Sequence, residues 1–591
     1  MDDARDVGVL IAGGGPNGLM LAGELALNGV RPVVLERSAA RDRPTRANGL
    51  IGRVAHVFDR RGLLTRCGMR DGPPPAAPFF QFGGLPLDLR DLTGNPMTVV
   101  PVTQPRVEEV LEERARELGA DIRRGHELTG FTDAGDADGR VDCAVRGPDG
   151  TYRVRARYLI GADGSRSAVR KAAGIGFPGG GRDDFVARVA EVVVPDELRA
   201  PDGGLDVPGA GRTPLGFTRT ASGVFTTAEL PTGVRLVGTN EWHRPPPEGP
   251  MTLDELRASV RRVLGADLPM RAPDGPGPHR LFRHTLVSRC ADRYRAGHVL
   301  LIGDAAHIQF GIGGPGLNLG LQDAVNLGWK LAAEVRGTAP AGLLDTYDAE
   351  HRPVAGRVLM QTRAQVALLA ADDEVTGLRE LFAELLREPA ALRHVAATMA
   401  GADVRYPPRV STPAAHPLAG DWAPDLPVRL VPRPRPAPAN AGAPGRQATA
   451  AAGDGAAHPD RDGVWAEAGC ATRVAVLQRT GRPLLITLTE SPEPTGPAAR
   501  TAGGTPTAAA DTAADVAGGV AVAVGAVAGG WADRVDLVDA CPDGAPAPAA
   551  AMLIRPDGHV AWAADPADPP ETVTAGLRAA LTTWFGAPIS A

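Results

Sequence analysis

A glycine-rich turn near the N-terminus constrains this chain more than any other feature. A short apolar run, residues 7–12, enters a turn that contains Gly13, Gly15 and Gly18, and apolar side chains then recur at helical spacing from Pro16 to Leu27. In a strand–turn–helix unit of this kind, the first glycine permits the tight turn, the second lets the backbone approach a pyrophosphate, and the third lets helix and strand pack closely. The segment therefore predicts a Rossmann-like unit that binds a dinucleotide.

The strand that follows supplies the acidic residue that such a unit needs. Residues 31–36 form a second apolar run that ends at Glu36, 21 residues after Gly15. A carboxylate at this point can accept hydrogen bonds from the ribose hydroxyls of an adenosine, while N–H groups at the start of the helix face the phosphates. The residues that we expect to contact the cofactor here are Gly13, Gly15, Pro16, Asn17, Gly18, Glu36 and Arg37. The unit by itself does not distinguish FAD from NAD.

Two motifs further along the chain favour FAD. The segment 303–307 (Gly-Asp-Ala-Ala-His), followed by 313–318 (Gly-Gly-Pro-Gly-Leu-Asn), resembles the second FAD box of the flavoprotein aromatic hydroxylases, the class A flavin monooxygenases. The segment 161–167 (Gly-Ala-Asp-Gly-Ser-Arg-Ser) is similar to the Asp-Gly motif of the same family. With the first glycine turn, three motifs occur in the order and approximate spacing of that family, and the resemblance covers nearly the whole chain.

The resemblance implies a set of further cofactor contacts. Asp304 would accept hydrogen bonds from the ribityl hydroxyls of FAD, and the start of the next helix would turn N–H groups toward the pyrimidine edge of the flavin, where they stabilise negative charge on the reduced ring. That helix start consists of Gly314, Pro315, Gly316, Leu317 and Asn318. Arg46 and Gln104 match positions that contact FAD in the family, and Asp163 orders its own loop beside the cofactor.

Other parts of the second box are interpreted as structural. His307 is expected to pack rather than to act as an acid or base, and residues 322–331 match a family helix whose side chains are expected to pack and cap. After His307 the family commonly has a proline near the flavin, whereas this chain has Ile-Gln-Phe-Gly-Ile at 308–312. The resemblance identifies no catalytic side chain with certainty, so we name none.

The chain is expected to fold as an α/β protein with three parts. A Rossmann-like FAD-binding domain, residues 1–182 and 286–400, would hold an inserted antiparallel β-sheet for the substrate, residues 183–285, where short alternating runs are separated by Pro and Gly. Residues 401–591 resemble the thioredoxin-like C-terminal domain of polyketide and phenol hydroxylases, but lack a Cys-x-x-Cys motif. This domain would carry low-complexity insertions near 431–460 and 490–515.

Charge and cysteine content exclude several kinds of partner. The net charge of −6 over 591 residues gives no reason to expect nucleic acid or an anionic membrane as a partner. Five scattered cysteines suggest neither a disulfide framework nor a metal site. The N-terminus lacks the basic stretch of a signal peptide, so a cytoplasmic location is expected. The oligomeric state stays open, and a homodimer is one option.

The resemblance implies a monooxygenase that uses FAD, NAD(P)H and O2 on a polycyclic aromatic polyketide. NAD(P)H would reduce FAD, dioxygen would add at flavin C4a, and the terminal oxygen of that hydroperoxide would reach an electron-rich ring. The chain shows no second Rossmann loop for NAD(P)H, which is similar to the family's habit of binding it transiently. Ring hydroxylation in antibiotic biosynthesis is the reaction that we expect.

Two alternatives remain at this point. In Baeyer–Villiger oxygenation, the same flavin peroxide would attack a ketone of the polyketide, and the segment that contains Gly49 and Leu50, where many hydroxylases differ, keeps that reaction in view. In the second alternative, the chain would be a binding protein that sequesters an aromatic drug and retains the flavin without using it. Oxidation of NAD(P)H that depends on the substrate would separate an enzyme from a binding protein.

Overall fold

The computed structural model describes residues 5–41, 47–133, 135, 139–230, 233–275, 279–409, 416–431, 470–489, 519–544 and 546–589. The chain divides into two compact units. The first consists of residues 1–58, 63–335 and 344–404, and the second of residues 59–62, 336–343 and 405–591. Within the described ranges, every helix is too short or too polar to cross a membrane.

The first unit contains most of the strands. In chain order they are β1 (Arg5–Ala12), β2 (Val33–Glu36), β3 (Gly49–Ile51), β4 (Phe79–Phe82), β5 (Leu85–Asp88), β6 (Val99–Pro101), β7 (Asp121–Arg124), β8 (Glu127–Asp133), β9 (Val141–Gly147), β10 (Gly150–Gly161), β11 (Gly179–Val192), β12 (Leu205–Val207), β13 (Gly211–Thr213), β14 (Gly216–Thr220), β15 (Gly223–Glu229), β16 (Arg235–Trp242), β17 (Leu281–Cys290), β18 (Arg295–Ala296), β19 (Val299–Leu301) and β20 (His307–Ile308).

Nine α-helices are described up to residue 400. They are α1 (Pro16–Leu27), α2 (Arg53–Asp59), α3 (Gln104–Glu117), α4 (Ala168–Ala172), α5 (Leu253–Leu264), α6 (Pro315–Val335), α7 (Thr346–Leu369), α8 (Asp373–Leu385) and α9 (Pro389–Ala400). The second unit contains β21 (Pro427–Val431), β22 (Ala471–Arg473), α10 (Val474–Leu477), β23 (Leu484–Leu488), α11 (helical at 519–528), β24 (Asp536–Pro542), β25 (Ala551–Ile554), β26 (Val560–Ala564) and α12 (Pro570–Phe585).

A mostly parallel sheet forms the centre of the first unit. Its strand order is β18-β19-β10-β1-β2-β7, with β9 antiparallel to β10 and β8 antiparallel to β9. The central pairs β19/β10, β10/β1, β1/β2 and β2/β7 are all parallel. The core strand residues Val9 to Ala12 and Leu159 to Ile160 are buried, as expected for a sheet covered on both faces. The predicted β1–α1–β2 unit is confirmed.

A six-stranded antiparallel sheet is the second layer of this unit. Its order is β14-β15-β16-β11-β17-β20, and it confirms the predicted change from parallel to antiparallel structure. One face packs against α5 through an aliphatic core that includes Val192, Val237, Leu256 and Val260. The sequence analysis predicted short strands here and missed α5, although Leu256, Val260 and Val263 recur at helical spacing.

The second unit has a thioredoxin-like core. Its sheet order is β22-β21-β24-β23-β25-β26, with β23 parallel to β24 and antiparallel to β25. The succession β23-α11-β24-β25-β26-α12 confirms the predicted fold, its closing helix, and the tight turn at Pro556-Asp557-Gly558 between β25 and β26. Apart from Val431, the insertions expected near 431–460 and 490–515 lie outside the described residues.

Candidate functional site

The predicted motifs meet at one edge of the parallel sheet. Gly13 follows β1, Asp163 follows β10, Gly303 and Asp304 follow β19, and Glu36 ends β2. Parallel pairing aligns these ends: Ala12 lies opposite both Gly161 and Leu35, and Gly161 lies opposite Leu301. In open α/β sheets, ligands bind outside the carboxyl ends of the strands. Motifs that are nearly 290 residues apart in the chain therefore surround one site.

The structure accounts differently for the glycine at each of the three positions of the first turn. Gly13 has φ +117°, a conformation that side chains disfavour, and a Cβ at Gly18 would overlap the Gly13 carbonyl oxygen. Gly15, by contrast, has an ordinary extended conformation with φ −79°, and a Cβ added there would meet no atom within 4 Å. Neither the backbone nor packing requires glycine at position 15, so its bare backbone is available to a ligand.

Glu36 is buried at the end of β2, with both carboxylate oxygens bonded to the backbone. Gly14 N–H donates to Oε2 at 3.0 Å, and Ser38 N–H donates to Oε1 at 2.8 Å. Arg37, the next residue, is exposed. Glu36 lines a concavity whose other residues are Gly14, Gly15, Ser38, Ala40, Arg41, Gln104, Pro105, Glu108 and Arg124. The predicted residues Gly15, Glu36 and Gln104 therefore share one wall.

Two arginines of this concavity were not among the predicted residues. Arg41 and Arg124 both bond to the buried carboxylate of Glu112 on α3, with Arg41 Nη2 at 2.6 Å. Burial alone would raise the pKa of Glu112, but hydrogen bonds from Arg124, Arg41 and Arg116 together lower it to about 2. The ionised Glu112 fixes two positive charges beside Glu36. In the structure, Arg124 ends β7, the neighbour of β2, where it lies opposite Glu36.

Asn17 lies between the first glycine turn and the second box. A Cβ at Gly303, which precedes Asp304, or at Gly320 of α6 would overlap the side-chain amide of Asn17, so both glycines leave room for it. Within the described part of the chain, the buried Oδ1 atom of Asn17 has no hydrogen-bond partner. A buried acceptor without a donor is unfavourable, and a Cβ at Gly320 would lie 2.8 Å from this atom. The half-buried Asp304 is adjacent.

The second half of the box forms the entrance to α6. Gly314 has φ +68°, and the helix begins at Pro315, as predicted. Asn318 is bonded at both ends of its amide: Nδ2 donates to the Gly314 carbonyl at 2.8 Å, and Oδ1 accepts from the Ile51 N–H at 2.9 Å. Asn318 therefore fixes the turn, while Gly316 and Leu317 are half-buried in the first turn of the helix.

Of the remaining predicted residues, Asp163 and Gln104 have described hydrogen-bond partners. Asp163 Oδ2 accepts from the N–H groups of Ala168 and Val169 at 2.7 and 3.1 Å, so it orders the loop and the start of α4. Gln104 is the first residue of α3, where its Nε2 donates to Glu108 Oε1 at 2.8 Å. Arg46 lies outside the described residues.

A buried triad of Asp323, His307 and His351, behind the second box, was missed by the sequence analysis. Asp323 accepts from His307 Nε2 at 2.6 Å, from His351 Nδ1 at 2.7 Å and from Gly303 N–H at 2.9 Å. All three side chains are almost fully buried. Burial alone would lower the pKa of His307, but the adjacent carboxylate raises it. Burial likewise opposes ionisation of Asp323, but its histidine partners lower that pKa strongly. The structural role predicted for His307 thus includes an ion pair with Asp323. In the sequence, the feature that could have indicated this pair was the acidic Asp323 within α6.

Comparison with known proteins gives matches over the whole chain. Residues 6–362 match the FAD-binding domain family, and residues 516–588 match the aromatic-ring hydroxylase C-terminal family. A 12-dehydrotetracycline 5-monooxygenase/anhydrotetracycline 6-monooxygenase from Streptomyces rimosus is 38% identical over 592 residues, covering 98% of this chain and 99% of the relative.

Solved structures agree with these matches. An anhydrotetracycline hydroxylase from Streptomyces rimosus superposes with a TM-score of 0.75 at 36% identity, covering 99% of this chain and 100% of that one. A Diels–Alderase of pyrroindomycin biosynthesis superposes with a TM-score of 0.71 at 32% identity, with the same coverage of both chains. The fold is therefore similar to that of proteins whose names describe different reactions.

Gly15 and Gly18 provide a matched pair of variants. Gly15→Ala should leave the thermal stability of the apoprotein unchanged, because its Cβ meets no atom, but should weaken FAD binding about tenfold or more, because the methyl group occupies the approach of the ligand. Gly18→Ala should instead lower the unfolding free energy of the apoprotein by about 1–3 kcal/mol. Fluorescence titration with FAD and thermal unfolding measure the two effects. Normal FAD affinity in Gly15→Ala would show that no ligand approaches this backbone.

The Asp323 triad predicts a pH-dependent contribution to stability. Asp323→Asn should lower the unfolding free energy by about 3 kcal/mol or more, because it leaves buried histidines without their carboxylate. A lowered Asp pKa contributes above about pH 4, and a raised His pKa contributes fully below about pH 6.5, so the difference should be largest between these values. Denaturant unfolding across pH measures it. The control is Asp345→Asn, whose exposed carboxylate pairs with Arg295 and should contribute at most about 1 kcal/mol. Equal losses in both variants would contradict this account.

Proposed function

This chain belongs to the flavoprotein aromatic hydroxylases, and we propose that it inserts one oxygen atom from O2 into the ring of a polycyclic aromatic polyketide, with NAD(P)H as the reductant. It is an FAD-dependent monooxygenase by its family. The tetracycline-type substrates in the names of its relatives support the choice of a fused-ring polyketide. The same family membership supports ring hydroxylation in antibiotic biosynthesis.

The observation that carries the cofactor assignment is the meeting of four strand ends at one edge of the parallel sheet. The residues there fit FAD in three ways. Gly15 offers bare backbone that neither conformation nor packing explains. Asn17 has a buried oxygen without a donor among the described residues. Glu36 lies beside two fixed arginines, a suitable donor and acceptor set for an adenosine and its phosphates.

The proposed contacts follow the length of the cofactor. Glu36 would bind the ribose of the adenosine, and the first turn of α1 would bind the pyrophosphate through N–H groups and its positive dipole end. Arg41 and Arg124, fixed by Glu112, would add positive charge on the same side. Asp304 would bind the ribityl chain. The first turn of α6, from Gly314 to Asn318, would face the isoalloxazine ring.

When bound, FAD supplies the reducible ring that activates dioxygen, and this chain's residues provide the surroundings. The N–H groups of the α6 terminus are suited to stabilise negative charge on the reduced ring. Asn318 keeps that turn in place through bonds to Gly314 and Ile51. The aromatic and aliphatic cluster that includes Phe310 and Ile312 is suited to exclude water from the same side.

We propose that the three parts of the chain have the functions expected from the sequence. Residues 1–182 and 286–400 would bind FAD, residues 183–285 would bind the substrate, and residues 401–591 would form the thioredoxin-like domain. The parallel sheet, built from strands before 162 and after 294, supports the first assignment. The antiparallel sheet supports the assignment of residues 183–285 to substrate binding.

Substrate-dependent consumption of NAD(P)H tests the proposed function. The FAD-loaded protein should oxidise NADH or NADPH several-fold faster in the presence of anhydrotetracycline or a hydroxyanthraquinone, with matching oxygen uptake and one ¹⁸O atom from ¹⁸O2 in the product. Gly15→Ala, loaded with less FAD, is the control and should lose activity in proportion to its flavin content.

The structure of the product separates the alternatives. A new ring hydroxyl in the ¹³C NMR spectrum supports the proposal, and a new lactone carbonyl would establish Baeyer–Villiger oxygenation instead. Tight binding of the aromatic compounds without NAD(P)H oxidation or oxygen uptake would contradict a monooxygenase, and would leave either a sequestering protein or a redox-silent reaction of the kind named for the Diels–Alderase relative.

A further inference from the structure

One face of the six-stranded sheet is rich in aromatic side chains. Residues directly opposite each other in an antiparallel pair lie on the same face. Ala187 of β11 lies opposite Asn240 of β16 and His284 of β17, Phe185 lies opposite Trp242, and Val189 lies opposite Phe282. This face, which we call the aromatic face, therefore carries Phe185, Ala187, Val189, Asn240, Trp242, Phe282 and His284.

The opposite face of the sheet is covered by α5. It packs against α5 through aliphatic side chains, and its buried Arg188 is fully paired. Arg188 bonds to Glu241 at 2.7 Å and to Glu255 at 2.8 Å. Since α5 covers this side of the sheet, we place a substrate on the aromatic face.

The aromatic face lies against the loop that leads into the second flavin box. Phe310, between β20 and α6, packs edge-on to Phe185 with ring centroids 5.3 Å apart, and Phe185 packs the same way on Trp242 at 5.0 Å. Phe310 is four residues before Gly314, where α6 is about to begin. A ring that lay on this face would therefore be next to the proposed flavin position.

Two polar residues of this face are His284 and Asn240, and Asn240 is buried. The ring of His284 lies 5.3 Å from the ring of Phe310 and 5.6 Å from that of Phe282. His284 is half-buried, and its Nδ1 atom is buried and makes no hydrogen bond within the described residues. We take the accessible part of the ring to be its Nε2 edge, because Nδ1 is covered.

The surroundings of His284 differ from those of the buried His307. His307 has a carboxylate at 2.6 Å, whereas burial is the cause that acts on His284 and lowers its pKa to about 4. His284 is therefore neutral at pH 7. A neutral imidazole without a partner for Nδ1 is best accommodated with its proton on Nε2, which then is a hydrogen-bond donor at the open edge.

We propose that His284 orients the substrate, with Nε2–H donating a hydrogen bond to a phenolic oxygen of a fused-ring compound that lies on the aromatic face. The inference deepens the proposed function and rests on it. The partly exposed ring of Phe282 offers a stacking surface but no direction within the plane of the substrate. A single hydrogen bond at His284 would supply that direction, and so choose which carbon faces the flavin.

Two probes and three variants of the FAD-loaded protein test the role of His284. The probes are 1,8-dihydroxyanthraquinone and anthraquinone, which share a ring system and differ in two hydroxyl groups. The variants are His284→Phe, which keeps an aromatic ring but removes the donor, His284→Gln, which restores a donor, and Phe282→Leu, which weakens stacking on the same face. Dissociation constants come from quenching of flavin fluorescence, and FAD content and thermal unfolding verify that each variant is folded.

We expect the wild-type protein to bind the dihydroxy compound about tenfold more tightly than anthraquinone, the factor typical of one hydrogen bond. His284→Phe should lose this preference, and His284→Gln should recover part of it. Phe282→Leu should weaken binding of both compounds by the same factor and keep the preference. A merely structural role for His284 would alter both affinities equally.

The outcomes separate this inference from the proposed function. If His284→Phe retains the wild-type preference for the dihydroxy compound, or loses affinity for both probes equally, the role of His284 is wrong even where the wild-type protein oxidises NAD(P)H in response to a substrate. If the preference depends on His284 but no NAD(P)H is oxidised with any compound, the proposed function is wrong and His284 anchors a ligand for another purpose.

Discussion

The parallel pairing of β19, β10, β1 and β2 is the constraint on which the rest of the first unit depends. Hydrogen bonds between these strands align their carboxyl ends, and the loop that follows each strand carries one motif. The strand register therefore brings these loops together at one edge of the sheet. The tight contacts of Gly18 with Gly13, and of Asn17 with Gly303 and Gly320, complete the arrangement.

The structure separates residues that the fold requires from residues that only a ligand explains. Gly13 and Gly18 are explained by backbone conformation and packing, and Gly15 by neither. His307 pairs with the buried carboxylate of Asp323, whereas among the described residues no carboxylate pairs with the ring of His284. We propose that Gly15 faces the cofactor and that His284 faces the substrate.

The sequence predicted the elements that depend on local pattern, and missed those that depend on distant partners. The β1–α1–β2 unit, the start of α6 and the closing helix are encoded by glycine, proline and apolar spacing, and the structure confirms them. Arg41 and Arg124 could not be found in this way, because only the fold brings Arg41 to Glu112, 71 residues along the chain, and places Arg124 opposite Glu36. The Asp323 triad was missed for the same reason. Its two histidines lie outside α6, His307 in β20 and His351 in α7, and α6 by itself has the pattern of an ordinary packed helix.

A crystal structure of the protein with FAD tests the central claim most directly. The account predicts the adenosine ribose at Glu36, the pyrophosphate in van der Waals contact with the Gly15 backbone at the start of α1, the ribityl chain at Asp304, and the isoalloxazine ring at the first turn of α6 beside Phe310. FAD bound in the reverse direction, or with its pyrophosphate away from Gly15, would contradict the claim that the four strand ends form one flavin site.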